Sequence, residues 1–160
     1  MPHIHEKIDF TVEVFVVYKD RVLLRKHDKY KKWLSVGGHI ELDEDPNEAA
    51  IREVREEVGL DVVLAQPQLP ATGAGQADDY RELIPPKFLN RHRISDTHEH
   101  VTLVYFAQAA TDHFVIPNNH EKSEDVKWFT KSELEKNDYG ISDTIRFYAL
   151  RALAELGVGY

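Results

Sequence analysis

The chain of 160 residues contains no cysteine, which excludes a disulfide framework, a thiolate-bound zinc or iron–sulfur centre, and a cysteine nucleophile. Any metal must therefore be held by oxygen or imidazole. Long apolar runs are also missing: the longest are short stretches such as residues 14–18, and the opening MPHIHEKIDF has no apolar core of a leader. No signal peptide and no membrane span are expected, which predicts a cytoplasmic protein. Positive charge is in deficit, with Lys+Arg 20 against Asp+Glu 28, a formal charge of −8 and a pI near 5.6. That balance counts against a nucleic-acid polymer as partner, because counterion release needs a basic surface. A small anionic substrate stays compatible with it if a divalent cation sits between the two. Only 8 Gly and 7 Pro are present, too few for disordered linkers, and there is no internal repeat.

What is present is ordinary for one globular domain over residues 1–160: 42% hydrophobic and 30% charged residues. Residues 8–18 (IDFTVEVFVVY) and 21–25 read as two strands joined at Asp20, and residues 33–38 as a short strand running into Gly37-Gly38. Further strands are expected at 61–65, 101–107 and 126–130, and a last helix at 142–156 with Ile145, Tyr148, Ala149, Ala152 and Leu156 facing the core. Residues 66–100 read as a long loop, of the kind that is usually functional or hides further elements. The order of elements predicts a mixed α/β layer structure.

The clearest helix spans residues 46–58. Asp45, Pro46 and Glu48 stand where an N-cap, a first-turn proline and a capping-box glutamate belong, and Gly59 where the C-terminal stop belongs. At about 100° per residue, Ala50, Ile51, Val54 and Val58 form an apolar stripe. Glu53, Glu56 and Glu57 form an acidic stripe beside it, and Arg52, one turn before Glu56, borders that stripe. Such neighbours repel at roughly 0.2 to 0.5 kcal/mol per like pair. A solvated face tolerates that, but clustered carboxylates are also what a hard cation such as Mg²⁺ requires.

The wider spacing separates the two readings. From Gly38 the chain runs GHIELDEDPNEAAIREVREEVGL, matching G-x5-E-x7-R-E-U-x-E-E-x-G-U at every specified position. A chance match somewhere in this chain is roughly one in ten million at ordinary residue frequencies. The segment resembles the signature of the Nudix hydrolases. Trp33 before the Gly-Gly pair and EDVKWFTKSELEK at residues 124–136 resemble features flanking that signature, so the likeness extends over about the whole chain. One departure is Val36, where many members carry proline.

The resemblance implies an α/β/α sandwich with a mixed β-sheet and hydrolysis of a nucleoside diphosphate linked to another moiety, with Mg²⁺ or Mn²⁺ as cofactor. It implies Glu56 and Glu57 as principal metal ligands with the carbonyl of Gly37, Glu53 as a further ligand or general base, Arg52 as the group that orients Glu56, and Glu44 as the closure of the loop. Nucleoside triphosphates lead as substrate, ahead of dinucleoside polyphosphates, ADP-ribose and nucleotide sugars. A nucleotide-sensing domain without catalysis is the reading from a different class, and intact Glu53, Glu56 and Glu57 speak against it. The oligomeric state, monomer or homodimer, is not legible.

Outside the signature, Glu99 in Thr97-His98-Glu99-His100 is a candidate additional metal ligand or base. Strand alternation turns His98 and His100 to the face opposite Glu99, so the three do not share one ion. A histidine zinc site here, or at His3 and His5, is a weaker reading. Arg25, Lys26 and Lys29 are candidates for meeting phosphate, and Trp33, Tyr80 and Phe88 for stacking on a base, against their commoner roles as surface charge and core aromatics.

Overall fold

The computed structural model describes residues 5–67, 79–116 and 123–159. The first hairpin forms as its β-branched pattern predicts: β1 (Ile8–Tyr18) turns at Lys19-Asp20 into β2 (Arg21–His27). The strand expected over 33–38 is broken at Ser35 into β3 (Trp33–Leu34) and β4 (Val36–His39). They pair with different strands, β3 with β2 and β4 with β1, so the chain must bend between them. Val36 is fully buried and lies opposite Val14 in the β1–β4 ladder, a place where its N–H remains available, as a proline's would not.

Helix α1 (Pro46–Val58) has the expected ends. Asp45 accepts from the N–H groups of Asn47 and Glu48, Glu48 returns the bond to Asp45, and Gly59 closes the helix in the left-handed region at φ 65°. Strand β5 (Val62–Leu64) follows. The stretch 66–100 is not all loop, because β6 (Phe88–Arg93) lies within it. Its sequence FLNRHR is largely exposed and lacks apolar alternation, which hid it. Strand β7 (Glu99–Ala109) extends beyond the expected residues at both ends, and β8 (Ser123–Thr130) leads into a short helix α2 (Lys131–Lys136). A capping box between Thr130 and Glu133 starts α2, whose six residues are too few for a periodic signal. Helix α3 (Asp143–Leu156) is capped by Ser142.

The strands form one mixed sheet in the order β3-β2-β1-β7-β5, with β4 on β1, β6 on β7 and β8 on β2. Among the described strands only β1 and β7 run parallel, over the long register Ile8↔Glu99 to Val17↔Gln108. Alternation along β1 divides the core. Val12, Val14 and Val16 meet Ala50, Val54 and Val58 of α1, with Tyr105 and Trp128. Phe15 and Val17 meet Ile145, Tyr148, Ala149 and Leu153 of α3, with Phe106 and Phe129. The sheet is thus held between helices, the mixed sandwich expected from the sequence. Among the described residues no helix is long and apolar enough to cross a membrane.

Candidate active site

The apolar stripe of α1 pins the helix against β1 and β4, and this fixes where its acids stand. Glu53 is drawn inward beside Ala49, Ala50 and Val54 and is only 6% exposed. Gly38 makes room for it: a Cβ at that position would approach Glu53 Oε1 to 2.3 Å. A Cβ on Gly37 would come within 2.0 Å of the Val12 carbonyl oxygen. The glycine pair therefore lets β4 lie against both β1 and the helix carboxylates.

Arg52 organises three of the acids. Its Nε donates to Glu44 Oε2 (2.9 Å) and its Nη2 to Glu44 Oε1 (2.6 Å). Nη1 donates to Glu53 Oε1 (2.9 Å) and Glu56 Oε2 (3.0 Å), and Nη2 also to the His39 carbonyl (3.0 Å). Those contacts match the five N–H groups of a guanidinium. The bidentate grip on Glu44, joined by the Glu41 N–H at 2.9 Å, ties the loop after β4 to the helix. Arg52 holds the Glu44 carboxyl below the ordinary glutamate value. Glu53 moves the other way: burial raises its pKa, and the neighbouring Arg52 offsets only part of the rise.

Glu57 has a separate anchor. It accepts from the Gly37 N–H at 3.2 Å, and Arg25 Nε lies 2.9 Å from its Oε2. Arg25 is only 5% exposed. The repulsion expected among the three glutamates is therefore countered by two guanidinium groups, Arg52 between Glu53 and Glu56 and Arg25 beside Glu57. Glu56 is the most accessible of the three, with a side chain 40% exposed.

The structure thus brings together Gly37, Arg52, Glu53, Glu56 and Glu57 and does not bring Glu99 to them. Glu99 pairs with Ile8 on β1 and is engaged by Arg91 of β6. Gly38 pairs with Val12, four residues farther along β1, or roughly 13 Å at the rise of a strand. Arg25, read as a phosphate contact, is committed to Glu57. Lys29 lies over the Tyr30 ring, 5.5 Å from its centroid. Trp33 packs edge-on against Phe129 and Tyr139, and Phe88 packs among Phe106, Phe147 and Tyr148, so both are core aromatics. Tyr80 is exposed and donates to Glu82.

Two acids, Asp9 fully buried and Glu13 half-buried, were not singled out from sequence. Asp9 and Glu13 lie on the face of β1 opposite Val12 and Val14; Asp9 meets His39 and His98, and Glu13 accepts from Ser35 Oγ at 3.1 Å. Burial raises the Glu13 pKa, with the Ser35 bond a smaller opposing effect. Their signal was present in the alternation Asp9, Thr11, Glu13, three polar residues on one face of an apolar strand. His98 just before β7, and His100 and Thr102 on it, answer it, with Thr11 and Thr102 hydroxyls 2.7 Å apart.

The family model of the NUDIX domain matches residues 9–150. The chain belongs to the NUDIX family. A NUDIX-family hydrolase from Clostridium perfringens superposes with a TM-score of 0.83 at 38% identity, covering 92% of this chain and 97% of that one. A MutT NUDIX hydrolase from Burkholderia pseudomallei shares the fold at 20% identity and TM-score 0.63, covering 94% and 99% of the two chains. An Ap4A hydrolase from C. elegans, solved as a binary complex, shares it at 15% identity and TM-score 0.62, covering 92% and 96%. The search of curated proteins found no match. The chain is accordingly a hydrolase acting on pyrophosphate bonds.

Proposed function

We propose that this NUDIX domain, spanning residues 1–160, is a cytoplasmic pyrophosphohydrolase that requires Mg²⁺, or Mn²⁺ in its place, and cleaves a nucleoside diphosphate linked to a further group, with nucleoside triphosphates as leading substrate. The observation that carries the reading is the convergence of Glu53, Glu56 and Glu57 beside Gly37-Gly38, the first two held by Arg52 and the third by the Gly37 N–H and Arg25. The donor set fits the cation: hard carboxylate oxygens, no thiolate, and one carboxylate left accessible.

Glu56 and Glu57 would hold the ion, with the Gly37 carbonyl adding an oxygen. When bound, it supplies neutralisation of phosphate charge and a lowered pKa for attacking water. The rest falls to the protein. Arg52 fixes Glu53 and Glu56 relative to each other through one nitrogen, and its hold on Glu44 and the His39 carbonyl keeps the Gly-Gly segment against the helix. Glu53, whose pKa burial raises above the ordinary glutamate value, is placed as the candidate to accept a proton from the attacking water. A net charge of −8 would otherwise repel a polyphosphate, so substrate binding as well as chemistry should need the cation.

The test is a panel of nucleoside triphosphates, dinucleoside polyphosphates, ADP-ribose and nucleotide sugars, with and without Mg²⁺, products identified by mass in ¹⁸O-labelled water. Mg²⁺-dependent cleavage of a phosphoric anhydride supports the reading, and the preferred compound names the substrate class. Binding of nucleotide without cleavage of any compound supports the sensor instead.

A further inference from the structure

We propose that Asp9, His98 and His100 form a second metal site, for a divalent transition ion of the zinc class, on the face of the sheet opposite the α1 carboxylates. The sheet register builds it. Asp9 on β1 is the Cα partner of His100 on β7, His100 is in turn the partner of His92 on β6, and His39 on β4 is the partner of Thr11 on β1. One row across β6, β7 and β1 thus carries one carboxylate and two imidazoles; His39, in the next row on the same face, and His98, just before β7, add a third and a fourth imidazole.

The side chains converge. One donor atom from each of Asp9, His98 and His100 falls within 4.8 Å of the others. Asp9 Oδ2 lies 3.3 Å from His98 Nε2 and 3.1 Å from His39 Nε2. A tetrahedral zinc ion with bonds near 2.0–2.1 Å sets its donor atoms roughly 3.3–3.4 Å apart, so the Asp9–His98 edge already has the required length. The His98 and His100 rings stand edge-on, centroids 5.2 Å apart, and the His39 and His100 rings do the same at 5.1 Å.

Burial and chemistry favour an ion over a hydrogen-bonded knot. Asp9 has no exposed surface and His98 is 5% exposed, and a carboxylate at such depth needs strong compensation. One compensation is local, the His5 N–H donating to Asp9 Oδ1 at 2.7 Å. Two further imidazoles, His100 and His92, gather at the same place, more nitrogen than one carboxylate needs as hydrogen-bond donors. Imidazole and a single carboxylate suit zinc-like ions, whereas Mg²⁺ is left to the all-oxygen set on α1. His39 holds the Asp9 carboxylate in place as an outer partner does in metal sites. Its own carbonyl accepts from Arg52, so the second site and the catalytic helix share one residue of β4.

The experiment titrates Co²⁺ into chelator-stripped, tag-free protein in excess Mg²⁺, reading the visible absorption of the bound ion and the melting temperature. The expected result is one equivalent of Co²⁺, displaced by Zn²⁺, with a rise in melting temperature. His98→Gln and the less buried His100→Gln should each abolish the band while far-ultraviolet dichroism stays that of the wild type. His39→Ala should weaken binding by about tenfold to a hundredfold, and Glu56→Gln should leave the band unchanged. No absorption in the wild type, a band that survives in both His98→Gln and His100→Gln, or a band lost in Glu56→Gln would each overturn the proposal. These readouts do not depend on turnover, so they stand or fall separately from the hydrolase reading.

Discussion

The two faces of the sheet around β4 bury acids in opposite ways. On the α1 face, Glu44, Glu53, Glu56 and Glu57 each meet a guanidinium, from Arg52 or Arg25. On the other face, Asp9 meets imidazoles and a backbone N–H, and Glu13 meets one hydroxyl. A fixed positive fork lets carboxylates stay ionised at close quarters, which is the condition for a hard-cation site. The partners on the other face carry no fixed charge, which suits Asp9 to being shared with a borderline ion, while burial raises the Glu13 pKa.

The largest expected effect comes from removing the charge that the α1 face is built to keep. Glu57→Gln should lower kcat by about two to three orders of magnitude, the scale of losing one preorganised electrostatic contact. Three like charges on one helix face would predict a slightly more stable metal-free protein for this variant. The Arg25 pairing reverses that expectation: Glu57→Gln leaves a buried guanidinium short of its partner and should destabilise by about 1 to 3 kcal/mol in urea unfolding. A metal-free variant more stable than the wild type would show that the Arg25 contact contributes nothing.

Arg52→Lys comes next. A lysine has three donors and no planar fork, so it cannot reproduce the bonds to Glu44, Glu53, Glu56 and the His39 carbonyl together. The loop should loosen and activity should fall by about tenfold or more, read as a kcat loss with Mg²⁺ affinity also weakened. Unchanged turnover would mean that charge alone, without the fork, organises the site.

Most of the α1 face was legible because its features are local in sequence: the cap, the Gly59 stop and the spacing of Glu53, Glu56 and Glu57 all fall within one helix and its edges. The partners were not. Arg25 and Glu57 are brought together by the packing of α1 over β1 and β4, with β2 the neighbour of β1 in the sheet, and nothing near either residue in the chain announces the other. The opposite face is wholly a product of register: Asp9, His39 and His100 meet because β4, β1 and β7 align there, and register is set by long-range pairing. Strand β6 was missed for a related reason, since its polar residues carry no alternation and it exists by pairing with β7.

A smaller effect belongs to Glu13. Its raised pKa means the folded chain takes up this proton more readily than the unfolded chain. Its contribution to stability is therefore complete below the ordinary glutamate value of 4.5 and is lost as pH rises through the folded value. Glu13→Gln should raise the melting temperature at pH 7 more than at pH 4. An equal change at both pH values would show that the carboxyl has found compensation as full as that on the α1 face.

The smallest effect is expected at Glu99, which is engaged by Arg91 and lies well along β1 from the Gly-Gly pair. Glu99→Gln should leave kcat near the wild-type value. A fall of about tenfold or more, with the fold intact, would place Glu99 at the reacting water and return it to the role of additional ligand or base that the sequence first raised.

The central claim is that the α1 carboxylates hold the catalytic cation, and the most direct measurement compares melting curves with and without Mg²⁺ for the wild type and Glu56→Gln. Glu56 is the accessible member of the set and shares Arg52 with two other acids, so its metal-free melting temperature should barely move. The account predicts a clear Mg²⁺-induced rise for the wild type, because an ion bound only to the native state stabilises it, and a much smaller rise for the variant. An equal rise in both proteins, with equal turnover, would contradict it.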